Sequence, residues 1–529
     1  MQRTLILIAA LGIGVAAHAD TTPEAPQDVQ AGAGVIPAHQ RNSDWYRIGD
    51  EHLSSRQMGE ALPRAKNVIL FIGDGMGMST VTAARILDGQ RKGMSGEENS
   101  LSFEAFPFTG LVKTYNTDSQ TADSAGTMSA MVTGVKTRIG IFGVDDTALR
   151  GDCASAQGRE LVTTLELAEM AGKSTGIVST ARITHATPAA TYAKSPERDW
   201  EDDAQLPASA SEAGCSDIAR QLVDSTATMR DRLDAPGIDG IDIILGGGRA
   251  NFLPEGEGRR SDGDNLVDRW LAQNPDSVFV DKRDGLLNAP ADARLLGLFT
   301  NSHMSYEQDR PESEPSLKDM TLAALQRLES NAEGYFLMVE AGRIDHAHHA
   351  GNASAALHDT IAFSEAVQAA VDRTDNAETL IIVTADHSHV FTIAGYPRRG
   401  NPILGKLVAV GETEPALAED GKPYTTLGYA NGRGFRDLGD ETDADRGYAF
   451  PPRSGRADIT ELDTTQTGYH QEALVPLAAE THAGEDVAVY ASGPGAYLVS
   501  GTLEQNVLFH IMSGAAGLLP PAPLSQSDP

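Results

Sequence analysis

Glu340 to His349 reads EAGRIDHAHH, and it follows Tyr335 to Val339, YFLMV, an unbroken apolar run. An apolar run of that length without polar alternation predicts a strand buried on both faces, the habit of parallel sheets. Glu340 then stands at the carboxyl end of the strand. Asp345 and His349 follow at i and i+4, so a helical turn would project both from one face, as two ligands of one zinc ion require. Taken alone, DHAHH also reads as a solvated polar loop. Other strand ends in the chain weigh against that reading.

Asn67 to Ile72 (NVILFI) is a second buried strand, ending in GDGMGMS before a helix-like run from Thr80 to Leu87. Ser174 to Thr180 (STGIVST) is a third, followed by ARITHATP. Ile241 to Leu245 ends in Gly246 to Gly248, and Thr379 to Thr384 (TLIIVT) ends in Ala385, Asp386 and His387. Stretches long enough for crossovers separate these runs, which predicts an α/β fold with a mostly parallel central sheet flanked by helices. Such sheets bind ligands at the carboxyl ends of their strands. Asp74, Thr187, Glu340, Asp345, Asp386 and His387 all follow strands closely, so fold logic and ligand chemistry select one edge. Mixed Asp and His donors suit zinc, and an all-oxygen set suits magnesium. Any one of these residues also has a plainer reading: Asp74 in GDG is a common kind of turn residue.

Residues 1–19 carry Arg3, an apolar run from Leu5 to Ala17, and small residues at Ala17 and Ala19, the pattern of a cleavable secretory signal. The run is too short to span a bilayer, and no later stretch reaches spanning length. The expectation is a soluble exported protein, periplasmic or secreted. Residues 20–64 read as a flexible leader and N-terminal arm, exposed around Trp45 and Tyr46. The α/β catalytic core is expected over 65–390 and 469–529. Residues 391–468, rich in Gly, Pro, Asp and Arg, read as an inserted lobe. Lys plus Arg number 42 against 74 Asp plus Glu, a net charge of −32. That balance argues against nucleic acid or anionic membrane as a partner. It fits a salty habitat, and equally a solubilising surface. Cys153 and Cys215 are the two cysteines. In an exported chain they favour one disulfide over two free thiols.

A nucleophile candidate is Ser124, in TADSAGTMSAMV, where Asp123 and Ser124 precede a run of helical character. Backbone amides at a helix start attract a phosphate oxygen. Simple helix capping by Asp123 or Ser124 is the competing explanation. A serine hydroxyl also needs activation; no GxSxG elbow accompanies this one, and metal coordination would supply it.

Six segments together resemble the alkaline phosphatase family, in family order: GDGMG at Gly73, TADSAGT at Thr121, HATPAATYA at His185, VEAGRIDHAHH at Val339, VTADHSHVF at Val383 and ETHAGEDVAVY at Glu480. The resemblance is closer to the animal branch than to the enteric bacterial one, because His185 and His346 stand where the latter has Asp and Lys. It implies one zinc ion on Asp345, His349 and His482, and a second on Asp74, Asp386 and His387 beside the Ser124 oxygen. It implies magnesium on Asp74, Thr187 and Glu340, with Asp123, His185 and His346 close by and Arg198 gripping phosphate oxygens. The implied chemistry is an in-line two-metal displacement, with ions about 4 Å apart and a phosphoseryl intermediate on Ser124. Cys153 and Cys215 match a cysteine pair in the animal enzymes. The family also implies a homodimer, small phosphate monoesters as substrates, and a crown region corresponding to the lobe at 391–468. One departure stands out: the animal enzymes build a calcium site partly from a glutamate after GLF, where this chain has Thr300, which argues against calcium. A relative acting on phosphodiesters or sulfate esters is an alternative, although a sulfatase would want Pro and Arg after its modified residue and Ser124 is followed by Ala125 and Gly126. A non-enzymatic acidic metal-binding protein is a further one, but it would not need Ser124, Arg198 and every ligand together.

Overall fold

The computed structural model describes residues 35–56, 64–435 and 455–519. The expected signal at 1–19 and the acidic middle of the lobe lie outside those residues. In chain order the strands are β1 (Asn67–Gly73), β2 (Phe108–Lys113), β3 (Ser174–Arg182), β4 (Ile243–Gly247), β5 (Ser277–Val280), β6 (Arg294–Leu298), β7 (Tyr335–Ala341) and β8 (Thr379–Ala385). They continue as β9 (Ser388–His389), β10 (Phe391–Ile393), β11 (Leu427–Gly432), β12 (Ala473–Pro476), β13 (His482–Ala483), β14 (Val487–Ser492) and β15 (Gly501–Glu504).

Ten of them form one sheet in the order β15-β2-β14-β8-β1-β7-β3-β4-β6-β5. Seven neighbours, from β8 to β5, run parallel; β14 is antiparallel to both β8 and β2. The centres of β1, β7 and β8 are Val, Ile, Leu, Met and Phe, and Val68 to Gly73 and the whole of β7 and β8 are buried, as strands covered on both faces require. Helix Ala353–Arg373 packs on Leu317–Leu328 and on Met78–Arg91, while Val507–Ala515 packs on Asp44–Arg56 and Ser124–Thr133. A mostly parallel α/β sheet flanked by helices is therefore what the apolar runs encode. β2, β5, β6 and β15 carry weaker patterns, being shorter or toward the sheet's margins.

Register places the site. Gly73 of β1 lies beside Ala341 of β7 and Ala385 of β8, so three strands end level at the centre of the sheet. A small sheet, β10-β11-β12, and the pair β9-β13 stand apart from the large one. β12 lies past residue 468, so this sheet draws in chain beyond the expected end of the lobe.

One expectation is corrected. Tyr46 is not on an exposed arm: it is 5% exposed, with its ring 5.9 Å from Phe509 and 4.4 Å from His510. Trp45 is half-buried, 6.1 Å from the ring of Tyr115. Gln40 fastens the same segment, donating to the carbonyls of Thr133 and Val162 and accepting from the Val162 amide. The apolar side of Asp44–Arg56 outweighs the polar composition that suggested an arm. Cys153 and Cys215 are bonded, with Cα atoms 5.9 Å apart. No helix among the described residues is long and apolar enough to cross a membrane.

Candidate active site

Asp74 follows β1 directly and is fully buried. Turning the chain there requires Gly75 at φ +69°, where a Cβ would come within 2.4 Å of the His389 ring. Asp386 and His387 leave the neighbouring β8, also fully buried. His387 Nε2 lies 3.4 Å from Asp74 Oδ1 and 3.3 Å from Asp386 Oδ2. Ser124 begins helix Ser124–Thr133, and its Oγ is 3.2 Å from His387 Nε2 and 3.4 Å from Asp74 Oδ1. Burial raises the pKa of Asp74, and the neighbouring carboxylates raise it further; burial also raises that of Asp386, opposed by the Gly75 amide that donates to it. Burial and then His482 lower that of His387. Two carboxylates and an imidazole in a dry pocket are a donor set that a divalent cation satisfies.

A second group forms around helix Arg343–His349. Asp345 Oδ1 is 3.4 Å from His349 Nε2, 3.2 Å from His482 Nε2 and 2.7 Å from His389 Nε2. His349 donates Nδ1–H to the Glu480 carbonyl and His482 donates Nδ1–H to the Ala122 carbonyl, both at 2.7 Å. Each ring then turns a bare Nε2 inward, and the two nitrogens are 3.0 Å apart. Lone pairs aimed at one another beside a carboxylate fit a cation between them, with ligand tautomers fixed from outside. His389 differs: its Nδ1 is 2.5 Å from Glu480 Oε2, so both its nitrogens face carboxylates and act as donors. Burial lowers its pKa, but Glu480 first and Asp345 next outweigh that and raise it to about 10. Asp345, His349 and His482 remain as donors to a metal.

On the other side of Asp74, burial lifts Glu340 to about 7, offset in part by the hydroxyl of Ser179, which donates to Glu340 Oε2. Asp74 Oδ2, Glu340 Oε1 and Thr187 Oγ1 are buried and, among the described residues, make no hydrogen bond. Three orphaned oxygens in one place suit a hard, oxygen-seeking cation. His185 also has a ring nitrogen within reach of Asp74 and Glu340. Asp123 caps the Ser124 helix through Gly126 N and also accepts from Asn116 Nδ2, Gly140 N and, at 2.9 Å, Arg198 Nη1. The other fork of Arg198 lies 3.2 Å from His185 Nε2.

Residues 65–518 match the family model described as alkaline phosphatase. The chain belongs to the alkaline phosphatase family. It is 42% identical over 509 residues to the tissue-nonspecific alkaline phosphatase of Gallus gallus, with 92% of each chain covered. The Gadus morhua alkaline phosphatase is 41% identical over 90% of this chain and 96% of its own. Among solved structures, alkaline phosphatase from Thermus thermophilus aligns over 91% of this chain and 95% of its own, with TM-score 0.61 and 25% identity. That from the Antarctic bacterium TAB5 shares the fold at TM-score 0.57 and 22% identity, over 86% and 99% of the chains. The chain is accordingly an enzyme, a phosphomonoesterase.

The structure brings Asp74, Asp386 and His387 together beside Ser124, gathers Asp345, His349 and His482, and sets Glu340 and His185 near Asp74, with Arg198 on Asp123. His346 stands farther out, its ring 4.0 Å from that of His303 and 5.3 Å from that of His185. His303, His389 and Glu480 were not singled out in the sequence. His389 had a visible signal, because HSH at 387–389 repeats a histidine at strand spacing. Glu480 had a fainter one, in its position two residues before His482.

Proposed function

We propose that this alkaline phosphatase is an exported enzyme that hydrolyses small phosphate monoesters through a phosphoserine intermediate on Ser124, using two zinc ions and one magnesium ion. Asp345, His349 and His482 would hold one zinc; Asp74, Asp386 and His387 the other; Asp74, Thr187 and Glu340 the magnesium. The observation that carries this reading is the Ser124 hydroxyl against Asp74 and His387, with Asp74 shared by two donor groups. Bound divalent ions in such groups supply Lewis-acid stabilisation of attacking and leaving oxygens and favour the serine alkoxide.

The chain's own residues do the rest. Ser124, fixed at a helix start, presents its oxygen to phosphorus from a nearly water-free pocket. Arg198, held by Asp123 through one arm, offers a planar fork that suits two phosphate oxygens. His185 borders that fork, and His346 packs behind it, against His185 and His303. Attack by Ser124 expels the alcohol and leaves phosphate on the serine; hydrolysis from the opposite side restores it, so phosphorus keeps its configuration. The catalytic core spans 65–390 and 469–529, with the lobe at 391–468 inserted. Cleavage of the signal at 1–19 sends the protein to the periplasm or beyond, where it acts as a homodimer without nucleic acid or membrane partners.

Hydrolysis of a chromogenic phosphomonoester tests this. Activity is expected to disappear with chelator and return with zinc plus magnesium, and to exceed that on a phosphodiester or a sulfate ester. Acid quenching with labelled phosphate is expected to mark Ser124, and Ser124→Ala to abolish the label while metal content stays nearly normal. Label on another residue, or turnover indifferent to chelator, would overturn the mechanism.

A further inference from the structure

We infer that Glu480 is a positioning residue for the metal group of Asp345, His349 and His482, acting on Asp345 through His389. The inference rests on the metal reading of that group given above. Glu480 is 2% exposed, and every polar part of it is engaged. Its Oε2 faces His389 Nδ1 at 2.5 Å, and His389 Nε2 faces Asp345 Oδ1 at 2.7 Å. Its Oε1 accepts from the Val390 amide at 2.8 Å. Its carbonyl accepts from His349 Nδ1 at 2.7 Å, and its amide donates to the His349 carbonyl at 3.0 Å. One residue therefore sets the direction of two of the three donors: a histidine through its main chain, and an aspartate through its side chain and a relaying imidazole.

The surrounding backbone holds Glu480 in place. β13 pairs with β9 so that His482 lies opposite His389, which puts Glu480 and His389 at one end of the same two-stranded ladder. Gly432 in β11 has φ +125°, and a Cβ there would stand 3.1 Å from that of Glu480, so the small sheet backs the carboxylate closely. Without the Glu480 carboxylate, the His389 ring loses the contact at Nδ1 that fixes its orientation. Asp345 then loses a fixed donor on the oxygen that also faces His349 and His482. Removing outer partners of metal ligands typically weakens metal retention roughly 10- to 100-fold.

A merely structural ion pair would change stability and leave metal release alone, which gives the test. Zinc-loaded enzyme is challenged with excess chelator, and zinc release is followed colorimetrically. Glu480→Gln is expected to speed one equivalent by roughly 10- to 100-fold, leaving the other slow. His389→Gln is expected to speed the same equivalent, and the double variant to be no faster than His389→Gln alone, because the two act as one chain. Wild-type release from Glu480→Gln, or effects of the two changes that multiply, would overturn the inference. If Glu480→Gln does not fold, His389→Gln alone decides, and unchanged release from it is equally fatal. Asp345→Asn separates the underlying reading: release identical to wild type there would mean that no ion sits on this group, and both proposals would fall.

Discussion

Replacing both Cys153 and Cys215 by alanine opens a loop closed across 62 residues. In the chain-entropy model that closure stabilises the folded state by about 4 kcal/mol at 25 °C, an upper figure because residual structure in the unfolded chain subtracts from it. Alanine avoids adding a buried hydroxyl where Cys153 packs against Trp200 and Ala210. Cys153 sits on a single helical turn, Cys153–Ala156, held at its start by Asp152, and few links besides the bond run directly to the Cys215 side, Gln157 Nε2 donating to the Ala213 carbonyl being one. Trp200 contributes its own link, since its carbonyl accepts from Ile218 N at 2.9 Å. The loss should therefore appear first as an early local transition around 150–220, reported by Trp200 fluorescence, and then as a lower midpoint for the rest. Urea titration of metal-saturated wild type and double variant measures both. Free-thiol titration of unreduced, denatured wild type should find none. A stability difference below about 1 kcal/mol, with the bond demonstrably formed, would refute the unfolded-state argument and assign the fold's stability here to the packing around Trp200.

Three further outcomes follow from particular contacts. Asp123→Asn keeps a capping oxygen but turns an amide toward Gly140 N and Arg198, so KM for a phosphomonoester should rise about 10-fold, equivalent to about 1.4 kcal/mol; unchanged KM with a lower Tm would reduce Asp123 to a cap. Burial, aided by Asp242, lifts Glu169 from 4.5 to about 8 despite the Thr175 hydroxyl that opposes it. The folded state thus holds a proton the unfolded chain releases, so this stabilisation is complete below about pH 4.5 and is lost as pH rises through 8. Glu169→Gln should narrow the fall in Tm between pH 6 and pH 9, and an unchanged fall would exclude Glu169 as its source. Finally, a net charge of −32 should make Tm rise between about 0.01 M and 1 M sodium chloride, as the Debye length shrinks from about 30 Å to about 3 Å. A flat or falling Tm with metals saturated would leave the acidity as a solubilising surface only.

What could be read in advance was what one-dimensional patterns record. Apolar runs such as Asn67 to Ile72 and Tyr335 to Val339 report burial on both faces, and the polar residues that end them report where the sheet stops, so the sequence places Asp74, Glu340 and Asp386 at one edge. Ser124 shows how two explanations of one pattern can both hold: Asp123 does cap the helix, and that same cap fixes the serine beside Asp74 and His387. β14 carries no such mark, because an antiparallel strand between two parallel neighbours has the same apolar composition as they do. Tyr46 reads as exposed because its partners, Phe509 and His510, are supplied from the far end of the chain. His389 and Glu480 fall in the same class. Neither has a spacing that announces a role, since the contact between them exists only after β9 and β13 pair and bring together segments about ninety residues apart. Ligands that grow from strand ends are visible in sequence because the sheet aligns them; the groups that aim those ligands come from wherever the chain returns, and only the folded arrangement of the returning segments identifies them.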